Sequence, residues 1–352
     1  MSLLQVGIEL AERGWAPEWA ARMAIRRLCG VRLREDRLRS TEDRERELQA
    51  FLADMARSPI APVPEAANQQ HYELPAEFFA AVLGPRQKYS CCYWESADTT
   101  LAEAEEAALS LTCQRADLAD GQAVLELGCG WGSLSLWMAE HYPRSRVTAV
   151  TNSQVQRGWI EQRAAERGLD NVRVLAADMN DFQPQGQTFD RIVSVEMFEH
   201  MRNYERLLER IAGWLRPQGK LFVHLFCHRR LVYPYHTEGP ANWMGRYFFT
   251  GGLMPSEDLL SRFGRHLRVA EQWRWNGRHY QRTAEAWLQN LQRQRVVVLP
   301  ILAEVYGADA AARWFHRWRL FFLAVAEMFG LNGGEEWFVS HALLQPGTGR
   351  AE

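Results

Sequence analysis

The chain has 352 residues, and its 41 basic and 43 acidic side chains leave a formal net charge of −2 at pH 7. That balance offers no global field to recruit nucleic acid, so no nucleic-acid partner is expected. An apolar content of 47% is ample for the core of one large or two ordinary domains. Of the basic residues only Lys88 and Lys220 are lysines, which a base-composition bias explains before any function does. The six cysteines show no C-x-x-C spacing, so no metal site is expected and free thiols in a reducing cytoplasm fit best. The amino terminus has no charged-then-apolar signal pattern, and no uncharged apolar run reaches roughly eighteen residues. The expectation is a soluble protein.

Residues 1–57 read as a helical extension, because Leu4, Ile8 and Ala11 fall at helical spacing and residues 37–57 are rich in helix formers. Between Arg22 and Arg39, seven arginines stand against Glu35 and Asp36 alone. Such a run reads first as a solvated face, and peripheral contact with anionic phospholipid is the sharper alternative. Ser58-Pro59-Ile60-Ala61-Pro62-Val63-Pro64 then breaks any helix and opens a linker segment, 58–115. Within it, residues 71–84 carry a helix with Phe78, Phe79, Val82 and Leu83 on its apolar side.

A core over 116–230 alternates strand and helix: 123–127, 133–141, 146–150, 153–167, 172–176, 191–195, 204–215 and 221–225. Repeated βα units imply a parallel sheet covered on both faces, with ligands at the carboxyl ends of its strands. Residues 231–330 form a cap or substrate region. There Tyr233, Tyr235, Trp243, Tyr247, Phe248 and Phe249 lie near Gly251 and Gly252, which fits a lid over an apolar cavity. That region includes a returning strand at 267–275 and a helical pair over 287–329. Residues 331–346 supply the closing strand.

The first strand ends in Glu126-Leu127-Gly128-Cys129-Gly130-Trp131-Gly132. Three close glycines allow φ > 0 and let backbone N–H groups approach a nucleotide-like ligand. The dinucleotide pattern is absent, since Ser133 stands where it wants a third glycine and Thr151-Asn152-Ser153 where it wants an acid.

This motif resembles the first motif of class I S-adenosylmethionine-dependent methyltransferases, and its Trp131 wording resembles the cyclopropane fatty acid synthase superfamily. Tyr89 to Trp94, Thr151 to Gln156, Ser194 to His200, Phe222-Val223-His224 and Gly277 to Tyr280 resemble further blocks of that superfamily in the same order. The resemblance implies a Rossmann-like α/β fold: a seven-stranded, mostly parallel sheet with an antiparallel last strand and a helical cap. It implies S-adenosyl-L-methionine as cofactor, with Tyr89 and Ser90 closing over it. Gly128, Gly130, Gly132, Thr151, Asn152, Gln156 and Val195 would then bind it, and Asp178 and Met179 would hold its adenine. Oligomeric state is left open, a homodimer being one option.

Methyl transfer is an in-line displacement, so the protein must place the acceptor, exclude water and handle one proton. Glu196, Glu199, His200 and His224 are the candidates for that last task. In cyclopropane synthases the position of Glu196 is typically glycine. A bicarbonate is held there by residues matching Cys91, Glu199, His224, the backbone of Phe226, and Tyr280. Ser194 to Tyr204 instead resembles the coclaurine-type plant N-methyltransferases, whose two glutamates and histidine bind and deprotonate a secondary amine. An ammonium has no lone pair to attack with, so extra carboxylate suits an amine substrate. A buried acid in a tunnel for an uncharged alkene costs desolvation energy unless paired. The expectation is therefore N-methylation of a small amine, with Cys91, Glu196, Glu199, His200, His224 and Tyr280 as the catalytic set. The alternative is methylation or cyclopropanation of an unsaturated acyl chain, with Glu196 replacing bicarbonate.

Overall fold

A computed structural model of the chain describes residues 2–63 and 74–347. Seven strands form one sheet: β1 (Ala123–Leu127), β2 (Arg146–Thr151), β3 (Val172–Ala176), β4 (Phe189–Val195), β5 (Leu215–His228), β6 (Leu267–Trp275) and β7 (Trp337–Pro346). Their order is β3-β2-β1-β4-β5-β7-β6, and β7 alone runs opposite to the other six. Every residue of β1 is buried, as a central parallel strand covered on both faces requires. Strand order reverses between β1 and β4, so the crevice outside their carboxyl ends is the place for a ligand.

Helices α1 (Leu3–Glu12), α2 (Glu18–Leu38) and α3 (Thr41–Arg57) precede the sheet, and α4 (Ala76–Val82) and α5 (Leu101–Arg115) lead into it. Capping boxes start α1 at Ser2 and α5 at Thr100, each satisfying two otherwise orphaned N–H groups. Between strands lie α6 (Ser133–His141), α7 (Gln154–Glu166) and α8 (Tyr204–Trp214). The cap holds α9 (Trp243–Tyr247), α10 (Arg278–Arg293), α11 (Arg295–Tyr306) and α12 (Ala308–Gly330).

Apart from shifts of one or two residues at element ends, three differences from the sequence expectation stand out. The helical pair over 287–329 is three helices, because Gly307, at φ +88°, separates α11 from α12. β5 begins at Leu215 rather than 221: Pro217 and Gly219 read as a turn, yet Leu215 pairs with Phe189 across an irregular register. The helix expected over 71–84 covers Ala76–Val82, and His71 and Pro64 lie outside the described residues.

The cap is tied together by α12, which buries Phe315, Trp318, Phe321 and Phe322. Trp318 lies 4.8 Å from Phe78 of α4 and 5.1 Å from Phe248, whose ring stacks on Phe321 at 4.3 Å. Part of the arginine run is spent on this cap: Arg22 reaches the buried Glu327 at 2.8 Å and also Glu285 of α10. Among the described residues no helix is long and apolar enough to cross a membrane. The segment before Pro64 crosses the crevice, with Asn180 pairing both backbone groups of Ala61 at 3.0 and 2.9 Å.

Candidate active site

The turn after β1 forms one wall of a cavity at the switch point. Gly128 and Gly130 adopt φ of +79° and +53° and both line the cavity. A Cβ at Gly130 would meet open space, whereas one at Gly128 would strike Met197. Gly132 does not line the cavity, unlike the other two glycines expected to bind the cofactor. At φ +81° its missing Cβ admits Ile160 of α7, so it is a packing glycine. The other positions expected to bind the cofactor, Tyr89, Ser90, Thr151, Asn152, Gln156, Asp178, Met179 and Val195, line this one cavity.

The wall carries polar groups without protein partners. Gln156 Nε2 and Ser133 Oγ are buried and have no hydrogen-bond partner among the described residues. Gln156 is held by its other end, where Oε1 accepts from the Thr151 hydroxyl at 2.6 Å. Buried donors left open cost free energy unless a ligand or water meets them. With Ser133 at the uncapped start of α6 and the acids Glu126 and Asp178 on the same wall, this donor set fits S-adenosylmethionine, which has both ammonium and carboxylate groups.

Two residues on this wall went unassigned in the sequence. Lys88 is buried and donates to Ser90 Oγ and the Cys91 carbonyl, each at 2.6 Å. The signal was present: it is one of two lysines among 41 basic residues. A compact ammonium with three donors meets clustered acceptors that a planar guanidinium cannot. Glu126, read only as part of the glycine motif, accepts from the Ser135 hydroxyl. Burial pushes its carboxyl up to about 7, and that of Glu105, which accepts from the backbone of Arg86 and Lys88, also to about 7.

Behind the cavity lies the acid and imidazole patch. Glu196 and His200 line the cavity, while Cys91, Glu199, His224 and Tyr280 stand behind them. Glu196 follows β4 at φ +49°, a left-handed conformation that strains any side-chain-bearing residue and suits the glycine of the resembled synthases. Its Oε1 accepts from the Cys91 backbone N–H at 2.9 Å and faces His224 Nε2 at 3.2 Å. Its Oε2 accepts from Tyr280 at 2.7 Å. Cys91 thus reaches the acid through its backbone; its thiol points to the Cys92 carbonyl, and burial pushes it well above the ordinary range.

Burial raises the Glu196 carboxyl, against which the Lys88 charge and the Cys91 and Tyr280 donors act. It raises Glu199 much further, with the charge of Glu196 adding to burial. Like charges sharing a buried site resist ionising together, so Glu196 is the first of the two to ionise and Glu199 the one that keeps its proton longer. Burial pushes His200 down to about 4 and His224 well below its usual value, leaving both rings neutral. The contact of His224 with Glu196 is therefore a hydrogen bond rather than an ion pair.

The groups that the cyclopropane resemblance assigns to bicarbonate contact acids of the chain instead. Cys91, His224 and Tyr280 hold the Glu196 carboxylate, and the Phe226 N–H donates to Glu199 Oε1 at 2.6 Å. A free bicarbonate does not fit, because the side chain of Glu196 occupies its donors.

A family profile described as mycolic acid cyclopropane synthetase matches residues 63–332. The (S)-coclaurine N-methyltransferase of Thalictrum flavum subsp. glaucum is 39% identical over 338 residues, 95% of this chain and 93% of that one. A crystal structure of coclaurine N-methyltransferase bound to N-methylheliamine and SAH superposes with a TM-score of 0.93 at 37% identity, covering 98% of this chain and 100% of that chain. A cyclopropane synthase of Mycobacterium tuberculosis superposes at 0.67 with 25% identity, covering 81% and 98%. The chain belongs to the mycolic acid cyclopropane synthetase family and is an S-adenosylmethionine-dependent methyltransferase.

Proposed function

We propose that the enzyme methylates the nitrogen of a small secondary amine, with Glu196 holding the arriving ammonium and His200 removing its proton. The observation that carries this reading is the Glu196 carboxylate, buried on the cavity wall and already accepting three hydrogen bonds. A carboxylate offers about four acceptor sites, so one remains for a substrate N–H. The Lys88 ammonium acts on this anion from a distance, being spent on Ser90 and the Cys91 carbonyl, so a substrate ammonium would be the cation in direct contact with it.

The proton then needs an acceptor. His200 is neutral at any pH well above 4 and stacks on Phe249 at 5.5 Å with planes 5° apart, which fixes the plane of its ring. When bound, the donor supplies a methyl group on a sulfonium, which a nitrogen lone pair displaces. Once the proton has passed to His200, that lone pair exists and the Glu196 charge offsets that of the protonated imidazole.

Aromatic rings crowd the patch: Phe249 lies near Phe226 at 5.7 Å and Tyr235 at 5.1 Å, and Tyr280 packs on Phe329 at 4.5 Å. They favour a flat or cationic acceptor. A relative named for coclaurine and a structure holding N-methylheliamine support an amine of that kind. Six cysteines free of disulfides support a reducing, cytoplasmic setting.

The second reading, an unsaturated acyl chain, is favoured by the cyclopropane-type set Cys91, His224 and Tyr280 around a carboxylate. Incubation with labelled methyl donor, a panel of secondary amines and unsaturated phospholipid separates the two. Label is expected in the amine fraction, and label confined to lipid would overturn the proposal.

A further inference from the structure

A hydrogen-bonded chain runs from Glu196 through the sheet to the far end of α5. His224 of β5 and His341 of β7 are directly opposed in the antiparallel register, and both are fully buried. His224 Nε2 lies 3.2 Å from Glu196 Oε1, and His224 Nδ1 lies 2.9 Å from His341 Nε2. His341 Nδ1 lies 3.0 Å from Nη1 of Arg115, the last residue of α5. The Arg115 guanidinium sits 5.2 Å from Trp273 and 5.8 Å from Trp275, at the partly exposed end of the chain.

The chemistry of the groups fixes the direction of every proton in this chain. A guanidinium only donates, so His341 Nδ1 must accept. A neutral imidazole has one N–H, so that of His341 is on Nε2 and donates to His224 Nδ1. His224 then carries its own hydrogen on Nε2, where it donates to Glu196. Burial holds both rings neutral, pushing each well below the usual histidine range. The opposite orientation would require Arg115 to accept, which it cannot.

We propose that Arg115 is a positioning residue that sets the tautomers of His341 and His224, and so keeps a permanent N–H donor on Glu196. This rests on the reading of Glu196 as the working carboxylate. The arrangement brings a donor to the acid without placing a second cation beside it: the charge stays at the half-exposed end, where water meets part of its solvation demand. The chain does not carry the substrate proton outward, because it ends on a group with no acceptor. Removing the guanidinium frees His341 to exchange tautomers. His224 can then turn a lone pair toward Glu196, which favours the protonated acid.

Other titratable groups face the same acid: Lys88 and the Cys91 thiol from the segment before α5, Glu199 and His200 after β4, and Tyr280 of α10. The test therefore reads the imidazoles directly. In ¹⁵N-histidine-labelled enzyme, NMR is expected to place the hydrogen of both His224 and His341 on Nε2. Arg115→Lys, also a pure donor, should keep that pattern. Arg115→Met, which keeps an apolar stem against the tryptophans, should give mixed tautomers. It should also move the acid limb of kcat against pH upward by about one unit, with KM for the amine changed less. A hydrogen on Nδ1 of either ring in the wild-type enzyme would overturn the proposal, and that result needs no variant to fold. Unchanged tautomers in a folded Arg115→Met protein would do the same. The expected tautomers without turnover of any amine would sink the substrate reading and leave the positioning role standing.

Discussion

Tyr280 on α10 donates its phenol hydrogen to Glu196 Oε2 at 2.7 Å, so a helix of the cap completes an acid that follows β4 of the core. Tyr280→Phe keeps the packing on Phe329 and removes only that donor. The Glu196 carboxyl should rise further, and kcat/KM for an amine should fall about tenfold near neutral pH, the worth of one hydrogen bond to a charged group. A pH profile unchanged from wild type would detach Tyr280 from the chemistry.

The left-handed backbone of Glu196 makes its two smallest replacements differ. Glu196→Gly should be more stable than Glu196→Ala by about 1 kcal/mol, since only glycine adopts φ +49° without strain. Both should lose turnover by about 10²-fold or more. Added formate should restore part of it in the glycine variant, where the Cys91, His224 and Tyr280 donors remain. Equal melting temperatures for the pair would contradict the strain argument, and wild-type turnover in either would remove Glu196 from the reaction.

His200 is neutral down to about pH 4, so the loss of activity on acidification belongs to Glu196, whose carboxyl is raised. Glu196 holds the substrate ammonium only as a carboxylate, hence activity declines as pH falls through the Glu196 value. His200→Gln should lower kcat by about 10²-fold while leaving the limb in place and SAH binding intact. If the limb vanished in that variant, the titration would belong to the imidazole.

Glu126 shows the sign of a buried acid in stability. Its folded value of about 7 exceeds the ordinary 4.5, so between those limits the folded state binds more protons than the unfolded chain. Its contribution is fully present below pH 4.5 and is lost as pH rises through 7. Glu126→Gln, which can still accept from Ser135, should flatten the dependence of Tm on pH across that window. His200, His228 and His279, pushed down to about 4, 3 and 4, act oppositely and lose stability as pH falls below 6.5. Denaturation curves at several pH values, compared between the two proteins, isolate the carboxyl.

Two glycines of one motif should separate binding from folding. Gly132→Ala puts a Cβ 2.6 Å from Ile160, and should lower stability by about 1–3 kcal/mol, with partial rescue by Ile160→Val. Gly130→Ala meets open space and should fold with a smaller penalty, while weakening SAH binding measured by calorimetry. Equal loss of binding in both variants would restore Gly132 to the cofactor site.

Local pattern was enough for much of this protein. The alternation of apolar runs with helix formers, the glycines after β1 and the acids after β4 specify a parallel sheet with polar chemistry at its carboxyl edge, because backbone periodicity and φ preference act over a few neighbouring residues. The expected ranges of β1, β3, α6 and β6 coincide with the observed ones. Tertiary structure decided which of those residues meet. His341 carries no local mark of function, yet β-sheet register places it against His224, 117 residues away. Lys88 looked like a compositional accident until burial set its ammonium beside Ser90 and Cys91. Gly132 shares its motif with Gly130, but the approach of α7 gives it a packing role. Such partnerships depend on strand register and helix packing across the whole chain, and no short stretch of sequence carries that information.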